Sequence, residues 1–159
     1  MSKLNMPKID RKLILRKIEV AKDLRKIIKA ENVLDHEDQL RPFETDGLSA
    51  YKQKPLLVVF PENTKEVSKV LKYCNQNRIK VVPRGSGTGL SGGALPLEDS
   101  VLLCLGKFNK IINIDYQNRC VVAQPGVTNL SITQAVEHKD FYYAPDPSSQ
   151  IACSIGGNV

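Results

Sequence analysis

The sequence predicts an α+β fold: a helical extension at the amino terminus, a small parallel βαβ subdomain, and the start of an antiparallel-sheet subdomain. Three observations carry this prediction. A strand-helix-strand pattern runs from Leu56 to Pro83. Two short β-prone runs, Ile111–Asp115 and Cys120–Gln124, stand four residues apart, as the arms of a hairpin do. The first thirty residues alternate aliphatic and basic side chains at helical spacing.

Lys12 to Ala30 places Leu13, Ile14, Ile18, Ala21, Leu24, Ile27 and Ile28 at that spacing, which predicts one amphipathic helix. Glu31 to Pro55 loses periodicity and gathers Asp35, Asp38, Pro42, Asp46, Gly47 and Pro55; it reads as a surface connector with a short helical turn at His36–Leu40. Residues 1–54 are thus expected to form the extension and residues 55–159 the domain proper. Leu56–Phe60, closed by Pro61, reads as a buried strand. Asn63 or Thr64 then caps a helix whose apolar face is Val67, Val70, Leu71 and Cys74, ending near Asn77. Ile79–Pro83 is the next strand, parallel to the first. Ser100–Leu105 is a third, followed by the hairpin, a turn at Pro125-Gly126-Val127, and a helix capped by Thr128 or Asn129 that carries Leu130, Ile132, Ala135 and Val136. Tyr143–Ser149 is loop-like, and Cys153–Val159 is a second glycine turn.

Hydrophobic residues make up 42% of the chain and charged residues 25%, the balance of a soluble globular protein. No run approaches the roughly 20 apolar residues of a membrane-spanning helix. The charged amino terminus lacks a signal-peptide core, so a cytoplasmic location is expected. The net charge of +6 is concentrated early: Lys3, Lys8, Arg11, Lys12, Arg16, Lys17, Lys22, Arg25, Lys26 and Lys29 face only Asp10, Glu19 and Asp23. Such a run is the solvated face of an amphipathic helix or a patch for an anion, which leaves peripheral contact with the inner face of a membrane open. No aromatic residue precedes Phe43, so the stacking platforms of single-strand binders are missing and no nucleic-acid partner is expected. The four cysteines form no Cys-x-x-Cys pair, and His36 and His138 stand alone. The chain is therefore expected to hold neither zinc nor an iron–sulfur cluster, and its thiols to be reduced and buried.

Half of the ten glycines (Gly85, Gly87, Gly89, Gly92 and Gly93) lie in one loop, entered from Val81-Val82-Pro83-Arg84 and interleaved with Ser86, Thr88 and Ser91. Backbone of this kind wraps closely around phosphate oxygens. A dinucleotide fingerprint would open a helix here, but Gly92, Gly93 and Pro96 forbid one; the Gly-Lys-Ser/Thr of a P-loop is also absent. What remains is a cradle of backbone N–H groups and hydroxyls between two strands, with a glycine-rich hairpin or flexible lid as the alternative. Arg84 suits either a phosphate contact or a structural ion pair.

Pro83–Gly93, Pro125-Gly126-Val127, Pro145-Asp146-Pro147-Ser148-Ser149 and Cys153–Val159 together resemble the FAD-binding domain of the vanillyl-alcohol oxidase and p-cresol methylhydroxylase (PCMH) type. Within that type they are similar to the branch of glycolate oxidase flavoprotein subunits and FAD-linked D-lactate and D-2-hydroxyglutarate dehydrogenases. The resemblance covers about residues 30 to 159, and it implies the cofactor and the site. Arg84, Gly85, Ser86, Gly87, Thr88, Gly89, Ser91 and Gly92 would hold the FAD pyrophosphate, Gly126 would let the chain pass near the cofactor, and Pro145, Asp146, Ser154, Ile155, Gly157 and Asn158 would line its ribityl, pyrophosphate and adenosine parts. Some members attach FAD through a histidine in this loop; here Ser86 and Thr88 occur without one, which implies non-covalent FAD.

The resemblance further implies a small 2-hydroxy-acid substrate, hydride transfer from its α-carbon to flavin N5, and an iron–sulfur partner subunit that accepts the electrons. It places the substrate-orienting residues after the Ile155-Gly156-Gly157-Asn158-Val159 motif. The chain is thus expected to be the amino-terminal portion of a longer oxidoreductase, with no catalytic residue of its own, with His138 structural, and with weak FAD affinity when alone. The alternative is a non-catalytic remnant or a module that binds an anion or partner through the glycine loop and the basic helix.

Overall fold

Capping and β-branched runs set the elements of the computed structural model, which describes residues 7–145 and 147–158. Asp10 opens α1 (Arg11–Leu15) by accepting from the N–H groups of Lys12 at 2.9 Å and Leu13 at 3.3 Å. The expected single helix is interrupted at Arg16, whose φ and ψ of −90° and 7° leave the helical well, and resumes as α2 (Lys17–Ile27). Leu13, Val20, Ala21, Leu24 and Ile28 point inward. Ile18, expected on that face, is instead 83% exposed, because it lies about 160° round the helix from Val20.

Downstream lies β1 (Val33–Leu34), a two-residue strand inside the stretch expected to be connector, and α3 (Glu37–Leu40) at the expected helical turn. Next come β2 (Leu57–Val59) and α4 (Thr64–Gln76), the latter capped by the Asn63 side chain accepting from Glu66 N at 3.0 Å. Val70 and Cys74 of α4 are buried, whereas Leu71, expected beside them, lies at the helix flank and is 42% exposed. The remaining elements are β3 (Lys80–Arg84), β4 (Ser100–Cys104), β5 (Ile111–Asp115), β6 (Cys120–Ala123) and α5 (Asn129–Val136), whose cap is Thr128.

The larger sheet has the order β1-β2-β4-β3. β2 and β3 are parallel as expected, yet they do not touch: β4 lies between them and pairs with both, Val101 standing opposite Leu57 and Val81. Composition explains the placement. All five β4 residues are buried, as a strand covered on both faces requires, while β3 carries Pro83, which lacks an N–H and suits an edge. Alternate residues feed two cores. Leu57, Val59, Val101 and Leu103 pack with Val20, Leu24 and Val70 from α2 and α4. Val58, Leu102 and Cys104 pack with Leu40, Phe43 and Phe60 on the other side. The amino-terminal helix therefore shares its core with the βαβ unit.

β5 and β6 form the expected antiparallel hairpin, with a register irregularity between Ile111 and Asn113. Cys74, Cys104 and Cys153 are buried, but Cys120 is exposed, because β6 belongs to a two-stranded sheet. The final turn, Ile155–Gly157, is anchored by a bridge between Thr128 and Ser154. Among the described residues, no helix is long and apolar enough to cross a membrane.

Candidate functional site

β3 and β4 are parallel neighbours, so residues 85–99 must carry the chain back across the sheet, and the hairpin reading of the glycine loop is excluded. The loop leaves the carboxyl end of β3 beside the carboxyl end of β4, the usual position for ligands in open parallel sheets. A cavity of about 480 Å³ opens there. Its wall brings together Arg84, Gly85, Ser86, Gly87, Thr88, Gly89 and Ser91 with Ser154, Gly157 and Asn158 from the end of the chain.

Ser154 joins these two segments. Its buried Oγ accepts from Ser86 N at 3.2 Å, and its backbone pairs with Thr128 beside α5. Asn158 is fixed by Asn129, which is 1% exposed: Asn158 Nδ2 donates to Asn129 Oδ1, and Asn129 Nδ2 donates to the Pro145 carbonyl at 3.2 Å. Gly87 has φ of +73°, a backbone shape that glycine tolerates and other residues resist. Among the described residues, the N–H groups of Gly87, Thr88 and Gly89 meet no acceptor; Gly87 and Thr88 are half buried and Gly89 is exposed. Unpaired backbone donors at a concave wall attract an anion.

Arg84 is the one cation among the described lining residues, and no carboxylate is found among them. Its Nη1 donates to the Thr45 carbonyl at 2.6 Å and the Ala94 carbonyl at 3.3 Å, and its guanidinium carbon lies 5.7 Å from the Phe43 ring centre. Among the described residues it has no carboxylate partner, and its guanidinium is engaged by the two carbonyls. Beneath it, burial pushes the Cys104 thiol up to about 12, which leaves it protonated and unreactive. The polar groups of the described lining include backbone amides, the hydroxyls of Ser86, Thr88, Ser91 and Ser154, the Asn158 amide and the Arg84 guanidinium, a set suited to binding an anion.

Four expected site residues lie elsewhere. Gly92 is in the loop but off the cavity wall; Gly126 packs on the Leu105–Phe108 turn, donating to Phe108 O at 2.7 Å. Pro145 is exposed, and Ile155 faces a second cavity of about 410 Å³ between the hairpin and α5. That cavity is lined mainly by aliphatic and aromatic side chains and lacks the convergent amides. Asp146 lies outside the described residues. Conversely, Ala94, Leu105, Pro125, Ser149 and Gly156 line the first cavity without having been singled out. Pro125 and Gly156 were legible as parts of recurring motifs; Leu105 was not, because a strand-end leucine looks like core.

The profile of one family, described as the FAD binding domain, matches residues 55–159. The glycolate oxidase subunit GlcD of Escherichia coli K12 is 49% identical over 154 residues, which cover 97% of this chain and 30% of that protein. The glycolate oxidase subunit GlcD of Bacillus subtilis is 38% identical over 141 residues, covering 89% and 30% respectively. The chain thus spans about a third of the length of these relatives. Among solved structures, p-cresol methylhydroxylase with substrate bound superposes with a TM-score of 0.70 at 26% identity, over 83% of this chain and 26% of that one. These likenesses agree with the expected PCMH-type α+β fold.

Proposed function

Because the chain belongs to the FAD binding domain family, we propose that the glycine loop and the 154–158 turn hold the pyrophosphate of non-covalently bound FAD in a flavin-dependent 2-hydroxy-acid dehydrogenase or oxidase. One observation carries the reading: two segments more than sixty residues apart meet at a cavity whose wall offers free amides, one cation and no described carboxylate. Position 87 suits only glycine: a first side-chain carbon there would stand 2.2 Å from Arg84 Nη2, so the loop backbone lies directly against the guanidinium.

In this reading, the N–H groups of Gly87, Thr88 and Gly89 donate to pyrophosphate oxygens, and Ser154 keeps the loop and the final turn at a fixed separation. The Ser154 hydroxyl, which accepts from Ser86, has its own proton free to donate into the cavity. Bound FAD supplies a hydride acceptor at flavin N5 for the substrate α-carbon, and the protein supplies position. Non-covalent attachment is supported by a loop that contains Ser86 and Thr88 and no histidine. A glycolate-like substrate is supported by the names of the relatives, and a partner chain by the word subunit in them; that this partner carries an iron–sulfur cluster rests on the family resemblance alone. Peripheral contact with an anionic membrane is supported by Leu15 and Ile18, 87% and 83% exposed beside Arg11, Lys12 and Lys22. The reading is tested by denaturing the purified full-length protein and measuring soluble flavin. One FAD per chain is expected, and absence of flavin in protein expressed with ample riboflavin refutes it.

A further inference from the structure

We infer that Arg84 and Gly47 are positioning residues that aim the amides of the glycine loop, Arg84 acting as a strut beneath the loop rather than as a phosphate ligand. The inference rests on the FAD reading above and concerns how that site is built. Its second partner is the strap Phe43–Leu48, which the sequence presents as featureless connector.

Gly47 lies directly against the glycine loop. A Cβ there would stand 2.6 Å from the Thr88 carbonyl oxygen and 2.8 Å from that of Gly89, so both carbonyls are turned toward the strap. In a planar trans peptide, the carbonyl and the following N–H point in opposite directions. The N–H groups of Gly89 and Leu90 are therefore turned away from the strap. Gly89 lines the cavity and Gly47 does not, so the strap backs the loop from behind. The absent side chain at 47 is what allows this contact.

Arg84 ties the same parts together. Its Nη1 reaches Thr45 O, two residues before Gly47, and Ala94 O at the far side of the loop. Its plane lies near Phe43 at the start of the strap, and Nη2 sits under Gly87. The strap has its own braces: Leu48 N donates to the buried Asp46 Oδ1 at 2.9 Å, and Gln53 N donates to Glu44 O at 2.8 Å. A planar guanidinium can serve two carbonyls while lying beside a ring and beneath a glycine; a lysine ammonium keeps the charge but not this geometry.

The two roles for Arg84 predict different variant behaviour. FAD and ADP dissociation constants are to be measured by titration for the full-length protein and for Arg84→Lys, Arg84→Met, Gly47→Ala and the Arg84→Lys/Gly47→Ala double variant. The strut predicts that Lys is no better than Met, that each single variant weakens FAD and ADP about tenfold, and that the double variant is no weaker than the worse single one. The apo-proteins should stay folded and melt within about 8 °C of the parent, because the aliphatic core around Leu57 and Val101 is untouched. Retention of affinity within about threefold by Arg84→Lys, against a large loss in Arg84→Met, would overturn the inference in favour of a direct charge contact. Multiplying losses in the double variant, or a collapse in melting temperature, would also overturn it. A parent protein that binds no FAD refutes the FAD reading itself.

Discussion

A methyl group at position 87 would stand 2.2 Å from the Arg84 guanidinium, on a backbone already at φ of +73°. Gly87→Val is therefore expected to abolish flavin loading, read as loss of the flavin absorbance of the purified full-length protein; a variant that keeps its flavin would remove Gly87 from the cradle. Ser154→Ala deletes the acceptor of the Ser86 N–H and is expected to cost about 1 kcal/mol in urea unfolding, the usual net value of one hydrogen bond. At this scale the sequence disclosed the loop residues, because glycine and hydroxyl density is a local signal. It disclosed nothing of their supports: Thr45 is 39 residues from Arg84 and Ser154 is 68 from Ser86, and no local pattern encodes such pairings. Gly47 reads from sequence only as part of a connector, although its smallness serves another segment.

Elements were legible where period and capping agreed. Asn63 and Thr128 cap their helices as their positions suggested. Spacing alone does not tell the buried Val20 of α2 from the exposed Ile18, because aliphatic residues crowd both faces of that helix. The two-residue β1 offered no periodicity to read, and the insertion of β4 between β2 and β3 is a matter of topology that strand composition constrains only weakly. Leu24→Ala is expected to cost about 2–5 kcal/mol, since the α2 side chain is fully buried among Val20, Leu57 and Val70; urea unfolding measures it. A polar cluster ties the same helix end to two loops. Glu62 accepts from Lys29 at 2.7 Å, Asn32 at 3.1 Å and Lys107 at 3.1 Å, and these bonds hold its carboxyl at about 2, below the ordinary 4.5. A depressed value in the folded state stabilises above the unfolded one, so the contribution is complete above about pH 4.5 and is lost as the pH falls toward 2. The stability difference between the parent and Glu62→Gln is accordingly expected to be present at pH 6 and to shrink through pH 4 to 3 in urea titrations. A difference independent of pH would remove the ion pair from the account.

For the molecule as a whole, the site exists because the glycine loop after β3 meets the final turn of the chain. The parallel sheet delivers the glycine loop from the carboxyl ends of β3 and β4, and the hairpin with α5 delivers the final turn; Ser154 joins them. Alternation of strand and helix made the first half legible from sequence, and ordered motifs made the second recognisable by resemblance. The cavity itself was legible in neither, since it arises only when both halves are placed. The central claim is that this cavity holds FAD by its pyrophosphate without a covalent bond. Acid precipitation of the purified full-length protein tests it most directly: the account predicts one FAD per chain in the supernatant and a colourless pellet. Flavin retained in the pellet, or a protein that carries none when riboflavin is plentiful, would contradict it.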